Sequence, residues 1–508
     1  MTNRCVDIVV GLAAGSEGKG KVISMIAEKY AALVRTGGPN AAHTVIYKGK
    51  PVSFHILPCG SLHAPHAKLV MGAGAQLDID LIKHEIEILK SYNCWLDSDG
   101  KPRLYIDPQA TIIETIDKVA ENGGRMPDCG DLWFHPRDCD IHNSQLGGTC
   151  AGCSKLPKDS AWSAIGSTTH GTGANYIRKA ARGTKMAVLP GMPFRLFDYI
   201  QSKLGFEKDY EPTIDEITQR VMEVIPNGAI TDWGEFVTTT PVALARDNEF
   251  LKPFLAPVAI MLNEMVDRGE EIMLEGTQGA LLSVHHSHYP KCTSRDTNAS
   301  NWAADAGISP LCVRDVYGVT RTFPIRVAGD SGPLSGTEIK WSEVSEHATG
   351  KPVVEWMKRL EDLTDFEEKK IIKNKLKEWA GSGEGEIKEL ANNLLSAPYM
   401  EEITTATKRK RRVFNFGEAD FKKAVCINRP TNLSLTFVDY LNLEDFGKSS
   451  WDSLSQRTRD WITTLESKLG VFFKVLSTGP NPEHTIIRKS FGEMAVQLQM
   501  GRMGKDEN

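Results

Sequence analysis

Residues 9–22, VVGLAAGSEGKGKV, crowd Gly15, Gly18 and Gly20 with Lys19 and Lys21 into one short turn. Glycines let backbone N–H groups approach an anion, and lysines at the start of a following helix add charge, so the turn suits phosphate. It is not the common phosphate loop, G-x-x-x-x-G-K-[ST]. Counted from Gly15, the pattern holds to Gly20 and Lys21, but Val22 replaces the Mg2+-binding hydroxyl; counted from two residues earlier, Ala13 replaces the first glycine. A plain glycine-rich strand-to-helix turn is the alternative.

Five further segments carry chemistry. In 35–50, RTGGPNAAHTVIYKGK, His43 follows a second glycine turn. A lone histidine is usually structural, but behind such a turn it is a candidate for proton transfer. In 165–183, AIGSTTHGTGANYIRKAARG, hydroxyls and glycines lead to Arg178 and Arg182, either a monophosphate cradle or a capped helix start. In 273–294, Glu275 ends a strand, the Gln278 amide can read a base edge, and Thr293 follows a turn. His285, His286 and His288 invite a metal, but no acid or cysteine set accompanies them. The basic run in 404–414, TTATKRKRRVF, fits a solvated face, a nucleic-acid patch or a carboxylate clamp, and composition does not choose. Asp439, ending TFVDYL, and the turn Ser477 to Pro480 could line one purine pocket.

The elements that must position these residues are those of an α/β fold. Residues 5–12 form a continuous apolar run, the mark of a central strand. Further strands are expected at 68–72, 271–275, 315–320, 424–428 and 433–438, and helices at 18–34, 77–92, 110–121, 174–182, 213–224 and 242–267. Their alternation implies a large, mostly parallel central sheet with flanking helices. We read 1–508 as one catalytic domain with insertions at about 122–160 and 340–400, the first rich in cysteine, the second charged and helical. The first holds Cys129, Cys139, Cys150 and Cys153. A C-x-x-C pair with an upstream pair suits structural Zn2+, against a loop of free thiols.

A net charge of −5 recruits neither nucleic acid nor an acidic membrane, and no apolar run approaches the roughly 20 residues that span a bilayer. The N-terminus makes a poor signal peptide, and the scattered cysteines suit a reducing, cytoplasmic setting.

Together the segments GSEGKGK, GGPNAAHT, IGSTTHGTG, EGTQG, TKRKRR, TFVD and STGP resemble the adenylosuccinate synthetase family, in order and over nearly the whole chain outside the insertions. The resemblance implies a ligase that joins L-aspartate to the 6-position of a purine nucleotide through a 6-phosphoryl intermediate, with Mg2+. It implies Lys19 as the residue stabilising the transferring phosphoryl and His43 as general acid. The triphosphate site falls on Gly15, Glu17, Gly18, Lys19, Gly20, Lys21, His43, Thr44, Arg411, Phe437, Asp439, Ser477, Gly479 and Pro480. The monophosphate site falls on Ser16, Asn40, Thr168, Thr169, Arg182, Gln278, Leu282, Thr293 and Val327, with Arg182 donated across a homodimer. The L-aspartate site falls on Thr405, Ala406, Thr407, Arg409 and Arg411, and the Mg2+ site on Ser16 and the Ala42 carbonyl.

Ser16 departs from the family, which has an aspartate there as base and Mg2+ ligand. A serine cannot hold a proton at neutral pH as a carboxylate can. The same change marks a phage branch, the 2-aminoadenylosuccinate synthetases, which take dGMP; the resemblance then implies ATP or dATP as donor and the host cytoplasm as location. Phe437 replaces a family lysine, and a flat ring stacks on any purine. The rival readings are an ordinary synthetase using IMP and GTP, and a catalytically dead nucleotide-binding relative.

Overall fold

The computed structural model describes residues 3–113, 117–118, 121, 170–180, 249–327, 329, 331–353, 378, 400–403 and 410–489. Its centre is a nine-stranded sheet. In chain order the strands are β1 (Val6–Gly11), β2 (Ala32–Arg35), β3 (Lys68–Met71), β4 (Leu104–Ile106), β5 (Ile272–Glu275), β6 (Val313–Arg321), β7 (Asn432–Thr436), β8 (Phe473–Ser477) and β9 (Thr485–Ile487). Across the sheet they run β9-β8-β7-β6-β1-β5-β2-β3-β4. β9 pairs antiparallel with β8, and the other eight are parallel. Every residue of β1 is buried, as a strand covered on both faces requires. One large apolar cluster packs on each face of the sheet: Trp302 and Val10 belong to one, Leu33 and Tyr30 to the other.

The expected strands at 5–12, 68–72, 271–275, 315–320 and 433–438 all lie in this sheet. Four expectations are corrected. Residues 424–428 are no strand but the last turn of a helix, Glu418–Asn428. Its buried Phe421, Ala424 and Asn428 follow helical spacing, and Glu418 and Asp420 in its first turn favour the helix N-terminus, which outweighs the branched apolar stretch. The helix expected over 18–34 stops at Ile26, passes a short turn at Ala27–Lys29 and gives way to β2. There the completed sheet overrides the helix preference of Ala31, Ala32 and Leu33. Residues 111–112 pair with Gln76–Leu77 rather than starting a helix, while 117, 118 and 121 are helical. Among the described residues of 242–267, which are 249–267, the α-helix begins at Val258, after Pro257. The helix expected at 213–224 lies outside the described residues, as do 122–160 and most of 354–399.

Among the described residues, the connections bring parts of these chemical segments together at one end of the sheet. The carboxyl ends of β1, β2, β5, β6, β7 and β8 open onto a common cleft, the usual ligand side of such a sheet. A hairpin, His43–Tyr47 against Lys50–Phe54, covers part of it.

Candidate active site

The cleft, of about 640 Å³, is floored by the turn after β1. Gly15, Ser16 and Gly18 all have positive φ (90°, 57° and 82°). This left-handed backbone suits glycine and strains serine. The Glu17 side chain, fully buried, tucks behind the turn: its Oε1 accepts N–H bonds from Ala13 (3.2 Å) and Gly15 (2.8 Å). A Cβ on Gly11 or Gly279 would collide with that carboxylate, so both must be glycine. Helix Lys19–Ile26 starts directly behind, which aims its N-terminus into the cleft.

Lys19 is buried at the floor. Its Nζ donates to Glu17 Oε2 at 2.8 Å and to the Gln278 carbonyl. Gln278 itself sits at φ 55° and donates from Nε2 to Asn40 Oδ1 at 2.9 Å, so the second glycine turn and the turn after β5 are tied together at the cleft wall. The Lys21 ammonium is pushed down to about 8 by burial, against the pull of Glu483 and Asp439.

His43 stands on a carboxylate. Its Nδ1 lies 2.6 Å from Glu275 Oε1, which also accepts from Arg35 Nη1 at 2.6 Å; Glu275 Oε2 accepts the Cys59 N–H at 2.8 Å. Burial would raise the Glu275 carboxyl, but the Arg35 cation, the bond from His43 and the Cys59 N–H hold it at about 2. Burial pushes His43 down to about 4, with Glu275 pulling the other way. His43 is therefore neutral at pH 7, and a charged Glu275 fixes Nδ1 as the protonated nitrogen, leaving Nε2 to face the reactants. Arg35 also donates to the Ala41 carbonyl and so sets the turn that carries His43.

On the far wall Phe437 has φ 56° and its carbonyl accepts from Thr322 Oγ1 at 2.7 Å. Its ring lies 3.8 Å from the Arg321 guanidinium carbon, and Tyr440 meets it edge-on. Beside it, burial pushes the Asp439 carboxyl up to about 6. Ser477 Oγ donates to the Gly479 carbonyl at 3.0 Å, closing the turn at the end of β8.

Gly15, Ser16, Glu17, Gly18, Lys19, Gly20, Lys21, Asn40, Ala42, His43 and Thr44 therefore share this cleft with Gln278, Leu282, Thr293 and Val327. Arg411, Phe437, Asp439, Ser477, Gly479 and Pro480 line it as well. Thr168, Thr169, Arg182, Thr405, Ala406, Thr407 and Arg409 lie outside the described residues, as do Cys129, Cys139, Cys150 and Cys153. His285, His286 and His288 belong, among the described residues, to no group of three metal-donor side chains. Among the described residues the three-donor group is His43, Cys59 and Glu275, whose carboxylate is already committed to Arg35. Sequence reasoning did not assign Arg35, Arg321, Glu402 and Tyr440 to the site. The signal available was a charged residue closing an apolar strand, as Arg35 closes β2 and Arg321 closes β6.

A parallel sheet with a glycine turn, buried lysine and carboxylate-backed histidine at its carboxyl edge defines a nucleotide-handling α/β enzyme. The family model described as adenylosuccinate synthetase matches residues 8–125 and 154–446, and the chain belongs to the adenylosuccinate synthetase family. It is thus a ligase that forms a carbon–nitrogen bond. The adenylosuccinate synthetase of Methanocaldococcus jannaschii is 28% identical over 482 residues, 94% of this chain and 95% of that protein. That of Methanococcus aeolicus is 28% identical over 483 residues, 94% of this chain and 98% of that protein. Two solved structures share the fold. One is a cyanophage S-2L succinoaminodeoxyadenylate synthetase bound to dGMP and dATP as an energy donor (TM-score 0.56, 20% identity, 97% of this chain and 98% of that one). The other is a fully ligated adenylosuccinate synthetase from Plasmodium falciparum (TM-score 0.59, 19% identity, 96% and 100%). Among the described residues no helix is long and apolar enough to cross a membrane.

Proposed function

We propose that this chain joins L-aspartate to the 6-position of dGMP, with ATP or dATP as phosphoryl donor, giving 2-amino-2′-deoxyadenylosuccinate. The observation that carries the reading is Ser16, exposed at the cleft floor where the family has an acid. Guanine differs from hypoxanthine by an amino group next to N1. A short hydroxyl leaves room for it and accepts its hydrogen bond, and a site built around such a bond rejects the analogue lacking it by up to ~10⁴-fold. The dGMP bound to the phage structural neighbour supports the same reading.

The γ-phosphoryl passes to the 6-oxygen of dGMP. The aspartate amine then forms the new C–N bond as the C–O bond breaks and phosphate leaves. Lys19, fixed between Glu17 and Gln278, stabilises the transferring charge. His43 delivers a proton to the departing diphosphate from Nε2 once the anionic phosphates raise its affinity for protons. The Ser16 hydroxyl relays the N1 proton to water. Phe437 stacks under the donor base, and Arg411 with the 405–409 loop grips the aspartate carboxylates. The monophosphate rests on Asn40, Gln278 and Thr293, with Arg182 reaching it from the partner subunit of a homodimer, and the whole chain acts as one catalytic domain.

Mg2+ suits the oxygens on hand. Glu17 is buried and fully engaged, which leaves the Ser16 hydroxyl and the Ala42 carbonyl as neutral donors, and Mg2+ characteristically draws its remaining ligands from substrate phosphates and water. Bound there, it neutralises charge on the phosphoryl oxygens.

Asp439 favours a second reading. An ionised carboxylate pairs with the N1–H and N2–H edge of guanine, which suits GTP and the ordinary reaction on IMP. The deciding experiment supplies L-aspartate, Mg2+ and each of ATP, dATP and GTP with either dGMP or IMP, and follows succinyl-nucleotide formation by mass spectrometry. Product from dGMP with an adenine donor is expected; product from IMP alone overturns the proposal.

A further inference from the structure

A buried chain of charge joins two walls of the cleft. Arg321, fully buried at the end of β6, donates from Nη1 to the Ser16 carbonyl at 3.1 Å and to Glu402 Oε2 at 3.2 Å, and from Nη2 to Glu402 Oε1. The face of its guanidinium lies against the Phe437 ring. Glu402 Oε1 also accepts from Tyr440 at 3.1 Å, and Oε2 lies 3.5 Å from Arg411 Nη1. The backbone repeats the link: the Arg411 N–H donates to the Glu402 carbonyl at 2.9 Å, and Trp341 Nε1 donates to the Arg411 carbonyl at 2.8 Å. One carboxylate thus serves two guanidinium groups.

The two arginines are not held alike. Arg321 takes a bidentate grip on Glu402, the stronger form of such a pair. Among the described residues the Arg411 guanidinium has one looser contact, Nη1 to Glu402 Oε2 at 3.5 Å. The net positive charge of the trio therefore sits at Arg411, on the cleft wall, facing an incoming anion.

We infer that Glu402 is a positioning residue that makes carboxylate binding at Arg411 and purine stacking on Phe437 depend on each other. This rests on the proposed assignment of those two subsites. A carboxylate on Arg411 takes over the loose contact and leaves the whole Glu402 charge to Arg321, which then holds Phe437 and Ser16 more firmly. A purine stacked on Phe437 fixes Arg321, and through Glu402 it fixes Arg411. Whichever ligand binds second finds the trio already ordered. Immobilising one long, loosely held side chain such as that of Arg411 corresponds to about tenfold in affinity, and linkage requires the same factor in both directions.

The test is calorimetric titration of the full chain with L-aspartate and with a non-hydrolysable ATP analogue (β,γ-imido), each alone and in the presence of the other, with Mg2+ and saturating dGMP. In the wild-type protein each is expected to tighten the other about tenfold. In Glu402→Gln, which keeps the shape but not the charge, the mutual factor should fall below twofold while each ligand alone stays within about fivefold of wild type. Glu402→Asp should restore part of the factor. A merely structural role would weaken both ligands and leave their ratio unchanged, and that result overturns the inference, as does a wild-type factor near one. If neither ligand binds the wild-type protein, the proposed function fails first, and this inference falls with it.

Discussion

Glu275→Gln probes the support under His43. In the native protein Glu275 holds Arg35, His43 and the Cys59 N–H out of water. Its carboxyl lies at about 2 against an ordinary 4.5, despite burial that acts to raise it. That gap corresponds to about 3 kcal/mol favouring the charged form in the folded state. The cost of removing one partner from a buried ion pair, about 3–5 kcal/mol, agrees, because Arg35 is left with an uncompensated charge. Urea unfolding at pH 7 should show the variant about 3 kcal/mol less stable. The sign with pH follows from the depressed carboxyl. Its contribution is fully present above about pH 4.5 and is lost as pH falls towards 2, so the difference from wild type should narrow between pH 5 and 3. Activity adds an independent reading. Burial holds His43 at about 4 and Glu275 acts to raise it, so the variant lowers it further and frees the ring to turn. Losing a positioned proton donor costs about 10²–10⁴-fold in kcat, here with little change in the KM for L-aspartate. A variant as stable as wild type at pH 7, or a deficit constant from pH 7 to 3, would refute the reasoning.

Three further outcomes are expected. Ser16→Asp should lower turnover of dGMP at least 10²-fold relative to IMP, measured as succinyl product from an equimolar mixture; an unchanged ratio removes Ser16 from specificity. The KM for the triphosphate should rise above about pH 8 as Lys21 loses its proton, and Lys21→Arg should abolish that rise, because a guanidinium stays charged throughout. Phe437→Ala should weaken the donor nucleotide by about 10–100-fold in KM, from a stacking contribution of about 1–3 kcal/mol, and leave the KM for dGMP within a few-fold.

The β1 strand, the glycine turn and the helix behind it were legible because each is a local signal: an apolar run, glycines at fixed spacing, then lysines. The motif order carried the family, and Ser16 stood out only against that order. Misreadings came where neighbours outweighed local preference. Residues 32–34 read as helix until β3 and β5 paired with them, and 424–428 read as strand although one helical face is buried.

The site divides the same way. By itself the sequence determined which residue types the phosphate turn, the histidine turn and the purine turn bring, since each is written in a few adjacent positions. Only the tertiary structure decided which of them touch. His43 and Glu275 are 232 residues apart, Lys19 and Gln278 259, and Arg321 and Glu402 81. No local pattern encodes such pairs. They meet because a parallel sheet gathers the carboxyl ends of strands distant in the chain, and burial there makes each lone charge depend on a partner supplied by another strand.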